Sequence, residues 1–262
     1  MISVLVNQGA RPYQEDRHYI EKNFFLQYDL YAVFDGHGND SVSVFLQMYF
    51  KDVLRNELFA GHNTQTISMS MFNACKKMSE ILPAQIGQIA GSTALIVLES
   101  KEELYVANIG DCRALINRGA EALQITIDHK PNLKSEYDRI IAAGGFVATD
   151  PMGTPRVNGN LALSRSFGDT YLAPSVTWTP DVFHYLLFPE CHYIFVASDG
   201  VYDAVQNNEI VDIVNEELSK QVKSVSGSGC QTALSNASNR ILVLARSRGS
   251  GDNITIIISK RN

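Results

Sequence analysis

Five acidic residues of this sequence stand at the ends of short apolar runs. Asp35 and Asp199 each directly follow a run of strand length, Asp252 lies just before another, and Glu15 and Asp16 precede a fourth. Such runs, rich in β-branched and aromatic residues, predict strands. The exit of one strand and the entry of an antiparallel neighbour share one sheet edge, so we expect the four aspartates to meet there.

The chemistry that these aspartates suggest is metal binding, because clustered carboxylates repel one another and need a cation. All-oxygen ligands suit hard ions such as Mg²⁺ or Mn²⁺ rather than Zn²⁺. Gly36 follows Asp35 and Gly200 follows Asp199, and a residue without a side chain lets a metal or substrate approach the backbone. A single Asp-Gly pair is more often a turn or a helix cap. The hypothesis of a metal site therefore depends on several such sites sharing one edge.

The elements that would position these residues are short strands and paired helices. Strands are expected at residues 17–20, 30–34, 93–98, 104–106, 113–116, 193–197 and 254–258. Helices are expected at residues 42–54, 67–86, 134–143, 208–218 and 231–247. Helices that come in pairs after strands favour a layered α+β fold over a doubly wound parallel sheet. The only break of note is a predicted loop at 224–229, so residues 1–262 are predicted to form one domain.

Composition and charge exclude several classes of protein. The chain has 262 residues, of which 45% are hydrophobic and 19% charged, as is typical of globular proteins. A net charge of −6 disfavours binding to nucleic acid or to an anionic membrane. The sequence shows no signal peptide, no apolar run that could cross a bilayer, and no paired motif among its four cysteines. We therefore expect a soluble, intracellular protein of the cytoplasm or nucleus.

Eight motifs occur along the chain in a characteristic order. They are RPYQED at residues 11–16, YAVFDGHG at 31–38, GSTA at 91–94, ANIGDCR at 107–113, DHKP at 128–131, RVNGNLALSR at 156–165, ASDGVYD at 197–203 and GDN at 251–253. Any one of them is weak, but eight in register are specific. In these motifs the chain resembles the metal-dependent protein phosphatase family, also called protein phosphatase 2C, over residues 9–258. Its departures from the family pattern, at Asn39, Tyr202 and Cys112, remove no metal ligand.

The resemblance implies a fold and a metal centre. The expected fold is an α+β sandwich of two antiparallel β-sheets flanked by pairs of α-helices, with two Mg²⁺ or Mn²⁺ ions in a cleft at one end. By resemblance, Asp35 bridges both ions. Asp199 and Asp252 complete one site, and Gly36 offers its carbonyl oxygen to the other. The segment 151–180 resembles the flap that borders this cleft in the family.

The resemblance also implies roles for residues around the two ions. Glu15 and Asp16 are expected to hold metal-bound waters. Arg11 is expected to grip the substrate phosphate. Asp128 resembles the residue that, with Asp199, makes a third and weaker metal site in many members of the family.

These parts imply a mechanism for the hydrolysis of phosphoserine and phosphothreonine in proteins. A water bridging two divalent ions is acidified and attacks phosphorus directly, without a phosphoenzyme. His37 is the candidate general acid for the leaving alkoxide. Asp111 is interpreted as part of a hairpin turn with Arg113 and is left out of the metal set. His129 is interpreted as structural, and Cys112 lacks a base that would make it a nucleophile.

Two other functions remain open at this point. A pseudophosphatase, a binding module that kept the fold and lost activity, would be expected to lack the metal carboxylates that this chain retains. A metal-dependent hydrolase of small phosphoesters would use the same cleft chemistry, and the sequence does not exclude it. The expected partners are phosphorylated proteins, and the protein is expected to be a monomer.

Overall fold

The computed structural model describes residues 1–60, 64–221 and 227–261. In these residues the strands are β1 (Ile2–Asn7), β2 (Arg17–Phe25), β3 (Tyr28–Phe34), β4 (Gly36–His37), β5 (Gly91–Ser92), β6 (Ala94–Glu99), β7 (Glu103–Ile109), β8 (Arg113–Arg118), β9 (Glu121–Gln124), β10 (Val147–Thr149), β11 (Pro155–Val157), β12 (Phe167–Gly168), β13 (Asp181–Leu186), β14 (Tyr193–Ala197) and β15 (Ile254–Lys260). The helices are α1 (Ser41–Phe59), α2 (Thr64–Ile81), α3 (Ala84–Gly87), α4 (Lys134–Ala142), α5 (Asp199–Tyr202), α6 (Asn207–Gln221) and α7 (Gly227–Ser247).

Two five-stranded antiparallel sheets form the centre of the described part of the chain. The first has the strand order β1-β15-β14-β8-β9, and the second has the order β13-β7-β6-β3-β2. Helices α1 and α2 pair on the outer face of the second sheet, and α6 and α7 pair on the outer face of the first. The predicted α+β sandwich of antiparallel sheets flanked by helix pairs is therefore confirmed.

Strand β3 shows why uninterrupted apolar runs form these strands. Tyr31 and Val33 belong to the core between the two sheets. Leu30, Ala32 and Phe34 point the other way and belong to the core beneath α1 and α2. Because successive side chains of a strand face opposite sides, a strand covered on both faces needs apolar residues at every position.

Several observed strands, among them β1 and β10 to β12, have no counterpart in the sequence predictions, and three other differences are informative. The helix predicted at 67–86 is two helices, because Pro83 has no N–H to donate and its extended backbone (ψ 128°) separates α2 from α3. Strand β13 escapes a prediction based on apolar runs, since none of its residues is fully buried. The predicted loop at 224–229 lies partly outside the described residues, and from Gly227 onward the chain belongs to α7.

The helices in the described ranges include none that is both long and apolar enough to cross a membrane. That residues 1–262 form a single catalytic domain stays a prediction.

Candidate metal centre

The first sheet brings two of the predicted ligands to one edge. Strand β14 runs antiparallel to β15, with Ala197 opposite Ile256. Asp199 comes two residues after the end of β14, and Asp252 comes two residues before the start of β15. The register therefore places both aspartates at the same end of the sheet, as the sequence predicts.

The second sheet contributes Asp16 and Asp35 in the same way. The first residue of β2 pairs with the last residue of β3, so Asp16, which precedes β2, lies beside Asp35, which follows β3. Asp16 Oδ2 accepts hydrogen bonds from Thr255 Oγ1 at 2.8 Å and from Ser198 Oγ at 2.9 Å, both in the first sheet's strand ends. Asp16 therefore joins the two edges into one cluster.

The carboxylates of this cluster repel one another. Burial raises the pKa of Asp35 well above its usual range, and the negative charges of Asp16 and Asp199 raise it further. Burial also raises the pKa of Asp16 to about 6, although its two hydroxyl hydrogen bonds oppose the change. The pKa of Asp199 is raised well above its usual range by burial and next by the charge of Asp111. A cation would relieve all of these costs at once.

Two basic side chains form ion pairs with carboxylates at this end of the sandwich. Arg11 Nη2 is 2.6 Å from Asp252 Oδ2. Lys130 Nζ pairs with Asp111 and lies 3.9 Å from Asp199 Oδ2. In residues 1–60, 64–221 and 227–261, no three His, Cys, Asp or Glu side chains already surround a point where an ion would sit. Basic side chains thus lie against the carboxylates of the cluster, as expected for a region of concentrated negative charge.

The residues of the cluster fit a hard divalent ion in their chemistry. Every candidate donor is an oxygen, the ligand type that Mg²⁺ and Mn²⁺ prefer. Asp16 Oδ1 is buried and has no hydrogen-bond donor among the described residues. At Gly36 an added Cβ would lie 2.7 Å from both the Glu15 carbonyl oxygen and Ser43 Oγ. Only glycine lets the backbone pack this closely behind the cluster.

Asn253 holds the loop that carries two further predicted site residues. Its Oδ1 accepts a hydrogen bond from the Glu15 backbone N–H at 2.7 Å. Its Nδ2 donates to the carbonyl oxygens of Gln8 and Tyr13 at 2.6 and 3.1 Å. The loop with Arg11 and Glu15 is thereby fixed against the edge of the first sheet. Asn253 was not among the predicted site residues, and its place in the motif GDN is the signal that marks it.

A cavity of about 510 Å³ opens beside Arg11 and Asp252. Its other lining residues are Ala10, Pro12, Asp203, Ala204 and residues 248–251. The volume lies within the range of about 300–1,000 Å³ that is usual for ligand sites. Arg11 is about half exposed, so its guanidinium is accessible to a ligand in this cavity.

Asp128 is held by hydrogen bonds from two neighbouring side chains. Both oxygens of Asp128 accept hydrogen bonds from Arg113, at 3.2 and 2.6 Å, and Oδ1 also accepts one from Gln124. Asp111 lies near Asp199, since Lys130 contacts both and the charge of Asp111 raises the pKa of Asp199. Asp111 precedes β8 in the way that Asp252 precedes β15, so the rule applied to the other aspartates also identifies it.

His37 lies at the border of the cluster, in a small sheet of the order β12-β5-β4. Its ring acts on Glu15. Burial raises the pKa of Glu15, and the charges of Arg11 and His37 partly offset this rise. His37 Nε2 lies 2.7 Å from Asp169 Oδ2. Asp169 is a second residue that the sequence interpretation missed, although it follows the motif RVNGNLALSR by only four residues.

Two residues interpreted as structural have environments that agree with that interpretation. His129 is buried, its Nδ1 accepts a hydrogen bond from the Gly110 N–H at 3.0 Å, and its Nε2 lies 3.1 Å from Asp181 Oδ2. Cys112 is buried against Thr93, and burial raises the pKa of its thiol well above the usual range. A thiolate is therefore disfavoured at Cys112.

The described residues thus form an α+β sandwich with an oxygen-rich candidate metal centre at one end. The chain belongs to the protein phosphatase 2C family, whose sequence model, described as "Protein phosphatase 2C", matches residues 2–254.

Relatives with this family name are similar over most of the chain. "Probable protein phosphatase 2C 44" of Oryza sativa subsp. japonica is 34% identical over 93% of this chain and 72% of its own length. "Probable protein phosphatase 2C 52" of the same plant is 33% identical over 97% of this chain and 49% of its own length. "Probable protein phosphatase 2C 5" of Paramecium tetraurelia is 32% identical over 96% and 89% of the two chains. The chain thus spans as little as half of some relatives that it matches.

Solved structures share the fold at lower sequence identity. A structure described as that of a sex-determining protein of C. elegans superposes with a TM-score of 0.87 at 22% identity, covering 98% of this chain and 64% of that one. A serine-threonine phosphatase 2C from Toxoplasma gondii superposes with a TM-score of 0.81 at 20% identity, covering 98% and 93%. Both similarities support the sandwich architecture.

Proposed function

We propose that this chain is a metal-dependent protein phosphatase that hydrolyses phosphoserine and phosphothreonine with the help of two Mg²⁺ or Mn²⁺ ions. The observation that carries the proposal is the meeting of four mutually repelling carboxylates at one end of the sandwich, those of Asp16, Asp35, Asp199 and Asp252. Membership of the family and the names of the relatives support it.

The proposed ligands follow from this arrangement. Asp35 would lie between the two ions, Asp199 and Asp252 would complete one site, and the Gly36 carbonyl oxygen would serve the other. When bound, the ions supply positive charge that neutralises the phosphoryl oxygens and acidifies a water for direct attack on phosphorus.

Further carboxylates would act around these ligands. Glu15 and Asp16 are proposed to orient waters of the ions' coordination shells. For a third, weaker site, the carboxylate that lies beside Asp199 is Asp111. Asp128 would first have to leave Arg113, which holds both of its oxygens. We therefore propose Asp111 in place of Asp128 for this role.

Arg11 and His37 are proposed to act on the substrate itself. The planar guanidinium of Arg11 presents paired N–H donors that match two phosphoryl oxygens, and an ammonium group cannot do the same. The ring of His37 would give a proton to the serine or threonine oxygen as its bond to phosphorus breaks, since an alkoxide is a poor leaving group.

The test is hydrolysis of a phosphothreonine peptide with Mn²⁺ and with a chelator. Chelation should abolish activity, and Asp199→Ala should reduce kcat by at least about 10²-fold while thermal unfolding shows a folded protein. Asp138→Ala is the matched control, because Asp138 forms only an exposed pair with Lys134, and it should leave activity unchanged. Full activity in chelator would contradict the two-ion mechanism.

The same assay separates the two alternatives. Hydrolysis of small phosphometabolites without hydrolysis of phosphopeptides would favour a small-phosphoester hydrolase. Failure to hydrolyse either substrate with Mn²⁺ or Mg²⁺ would favour a pseudophosphatase.

We also infer a setting for this activity. The four cysteines are free thiols, as is usual in a reducing compartment, and this supports a location in the cytoplasm or nucleus. The proposed partners are phosphorylated proteins rather than nucleic acid or membranes, since the net charge is −6. The protein is proposed to act as a monomer.

A further inference from the structure

The small sheet of β4, β5 and β12 brings together two residues that lie 132 positions apart in the sequence. His37 Nε2 is 2.7 Å from Asp169 Oδ2. Gly91 of β5 pairs with His37 on one side and with Gly168, the residue before Asp169, on the other. A Cβ at Gly91 would collide with both the Asp169 carboxylate and the His37 ring. The contact therefore depends on a glycine at this position.

Asp169 is fixed more firmly than a surface carboxylate would be. Its side chain is 2% exposed, whereas that of His37 is 26% exposed. Ser166 Oγ donates a hydrogen bond to the same oxygen, Oδ2, at 2.5 Å. The Asp169 N–H donates to the Ala90 carbonyl oxygen at 3.1 Å, and its own carbonyl oxygen accepts from the Leu172 N–H at 2.8 Å. The Asp169 carboxylate is thus a buried acceptor in a fixed position, while the His37 ring remains partly exposed to solvent.

The backbone of Asp169 has an uncommon conformation. Its φ of 47° and ψ of 34° lie in the left-handed region, which residues other than glycine seldom adopt, although Asp and Asn tolerate it best. Residues held in this region tend to occur where function requires a fixed geometry.

We propose that Asp169 is the positioning residue for His37, accepting a hydrogen bond from Nε2–H so that Nδ1 is the atom that protonates the leaving group. This inference rests on the proposed function, because it needs His37 to be the general acid. The hydrogen bond at one ring nitrogen decides which proton the other can give. Nδ1 of His37 makes no hydrogen bond to any residue that the structure describes, so it is the nitrogen left for substrate.

As the phosphorus–oxygen bond to serine or threonine breaks, the leaving oxygen keeps the electron pair and takes the proton from Nδ1. Nε2 keeps its proton in the hydrogen bond to Asp169, so the ring becomes neutral. Nδ1 regains a proton from solvent, which receives the proton of the attacking water. A buried carboxylate opposite the reacting nitrogen holds the ring in place during the step.

The test compares two substrates whose leaving groups differ in their need for a proton. Asp169→Asn keeps the size of the side chain and removes its charge. With Mn²⁺, it should lower kcat for a phosphothreonine peptide by at least about tenfold, which is part of the roughly 10²–10⁴-fold that general acid catalysis contributes. It should lower kcat for p-nitrophenyl phosphate by less than about threefold, because that leaving group needs little protonation. Combining His37→Gln with Asp169→Asn should slow the peptide no more than His37→Gln alone.

The chain offers a second histidine–aspartate pair as a matched control. Asp181 contacts His129, whose other nitrogen is already bonded to the backbone, so this pair has a structural role. Asp181→Asn should slow both substrates equally, if at all. If Asp169→Asn also slows both substrates equally, the positioning role is wrong.

A readout without catalysis gives an independent check on Asp169. Nitrogen chemical shifts of the His37 ring in the metal-free protein, assigned with His37→Gln, should show the Nε2–H tautomer in the wild type. They should show a mixture of tautomers in Asp169→Asn, or in Ser166→Ala if Asp169→Asn does not fold. An unchanged tautomer would overturn the inference. If His37→Gln itself slows both substrates equally, the proposed acid role of His37 fails instead, and this outcome is distinct from failure of Asp169 alone.

Discussion

Glu136 of α4 is a buried carboxylate on which the packing of the segment around β12 depends. Its side chain is 1% exposed. Arg165 Nη2 donates to Oε1 at 2.6 Å, and Arg139 Nη2 donates to Oε2 at 3.1 Å. Arg165 also donates to Asp181 Oδ1 at 2.8 Å. The charge of Glu136 is therefore paired twice inside the protein.

The pKa of Glu136 shows how much its ion pairs contribute to the stability of the folded protein. Burial alone would raise it, but the hydrogen bond and charge of Arg165 outweigh burial and lower the pKa from 4.5 to about 2. A difference of about 2.5 pH units corresponds to about 3 kcal/mol of stability at pH 7. Because the folded-state pKa lies below the unfolded one, this contribution is complete well above pH 4.5 and is lost as the pH falls towards 2. At pH 3 about 1.4 kcal/mol of it remains.

The perturbation is Glu136→Gln, which keeps the volume of the side chain and removes its charge. At pH 7 the free energy of unfolding should fall by about 3 kcal/mol, because Arg165 and Arg139 lose their shared partner. At pH 3 the difference between wild type and variant should narrow to about 1.4 kcal/mol. Urea unfolding at both pH values measures this difference, and titration of other groups cancels in the comparison.

An exposed pair provides the control for this prediction. A hydrogen bond from Arg248 is the main cause that lowers the pKa of Glu209 to about 2, but Glu209 is 36% exposed and Arg248 is 40% exposed. Solvent screens such a pair, so Glu209→Gln should change stability little at either pH. A gap between wild type and Glu136→Gln that stays constant from pH 7 to pH 3 would refute the ion-pair explanation.

Two further predictions concern the metal centre. Arg11→Ala should raise KM for a phosphopeptide by about tenfold or more, and Arg11→Lys should restore only part of the affinity because an ammonium cannot make the paired hydrogen bonds. An unchanged KM in steady-state assays would argue against phosphate binding by Arg11. In calorimetric titration with Mn²⁺, Asp111→Ala should lose a weak site that Asp128→Ala retains, and the opposite result would return the third-site role to Asp128.

The sequence by itself determined the α+β sandwich architecture and the position of the aspartates at the ends of its strands. Strands covered on both faces need apolar side chains at every position, so the runs before Asp35 and Asp199 and after Asp252 are visible as uninterrupted strings. Few charged residues can lie within such a strand, so most of them stand where it begins or ends. The aspartates therefore mark the sheet edge before any contact is known. The roles of these residues as ligands stay predictions of the family resemblance.

The tertiary structure decided which polar groups face one another. Asp111 and Asp128 both lie next to strands of the first sheet, and only the position of Arg113 shows that Asp128 is already paired. The contact between His37 and Asp169 likewise spans 132 residues and crosses a third strand. Local patterns set the length of a strand and the side to which its residues point. They do not specify which distant element packs against it, because that choice is made by the packing of the whole core.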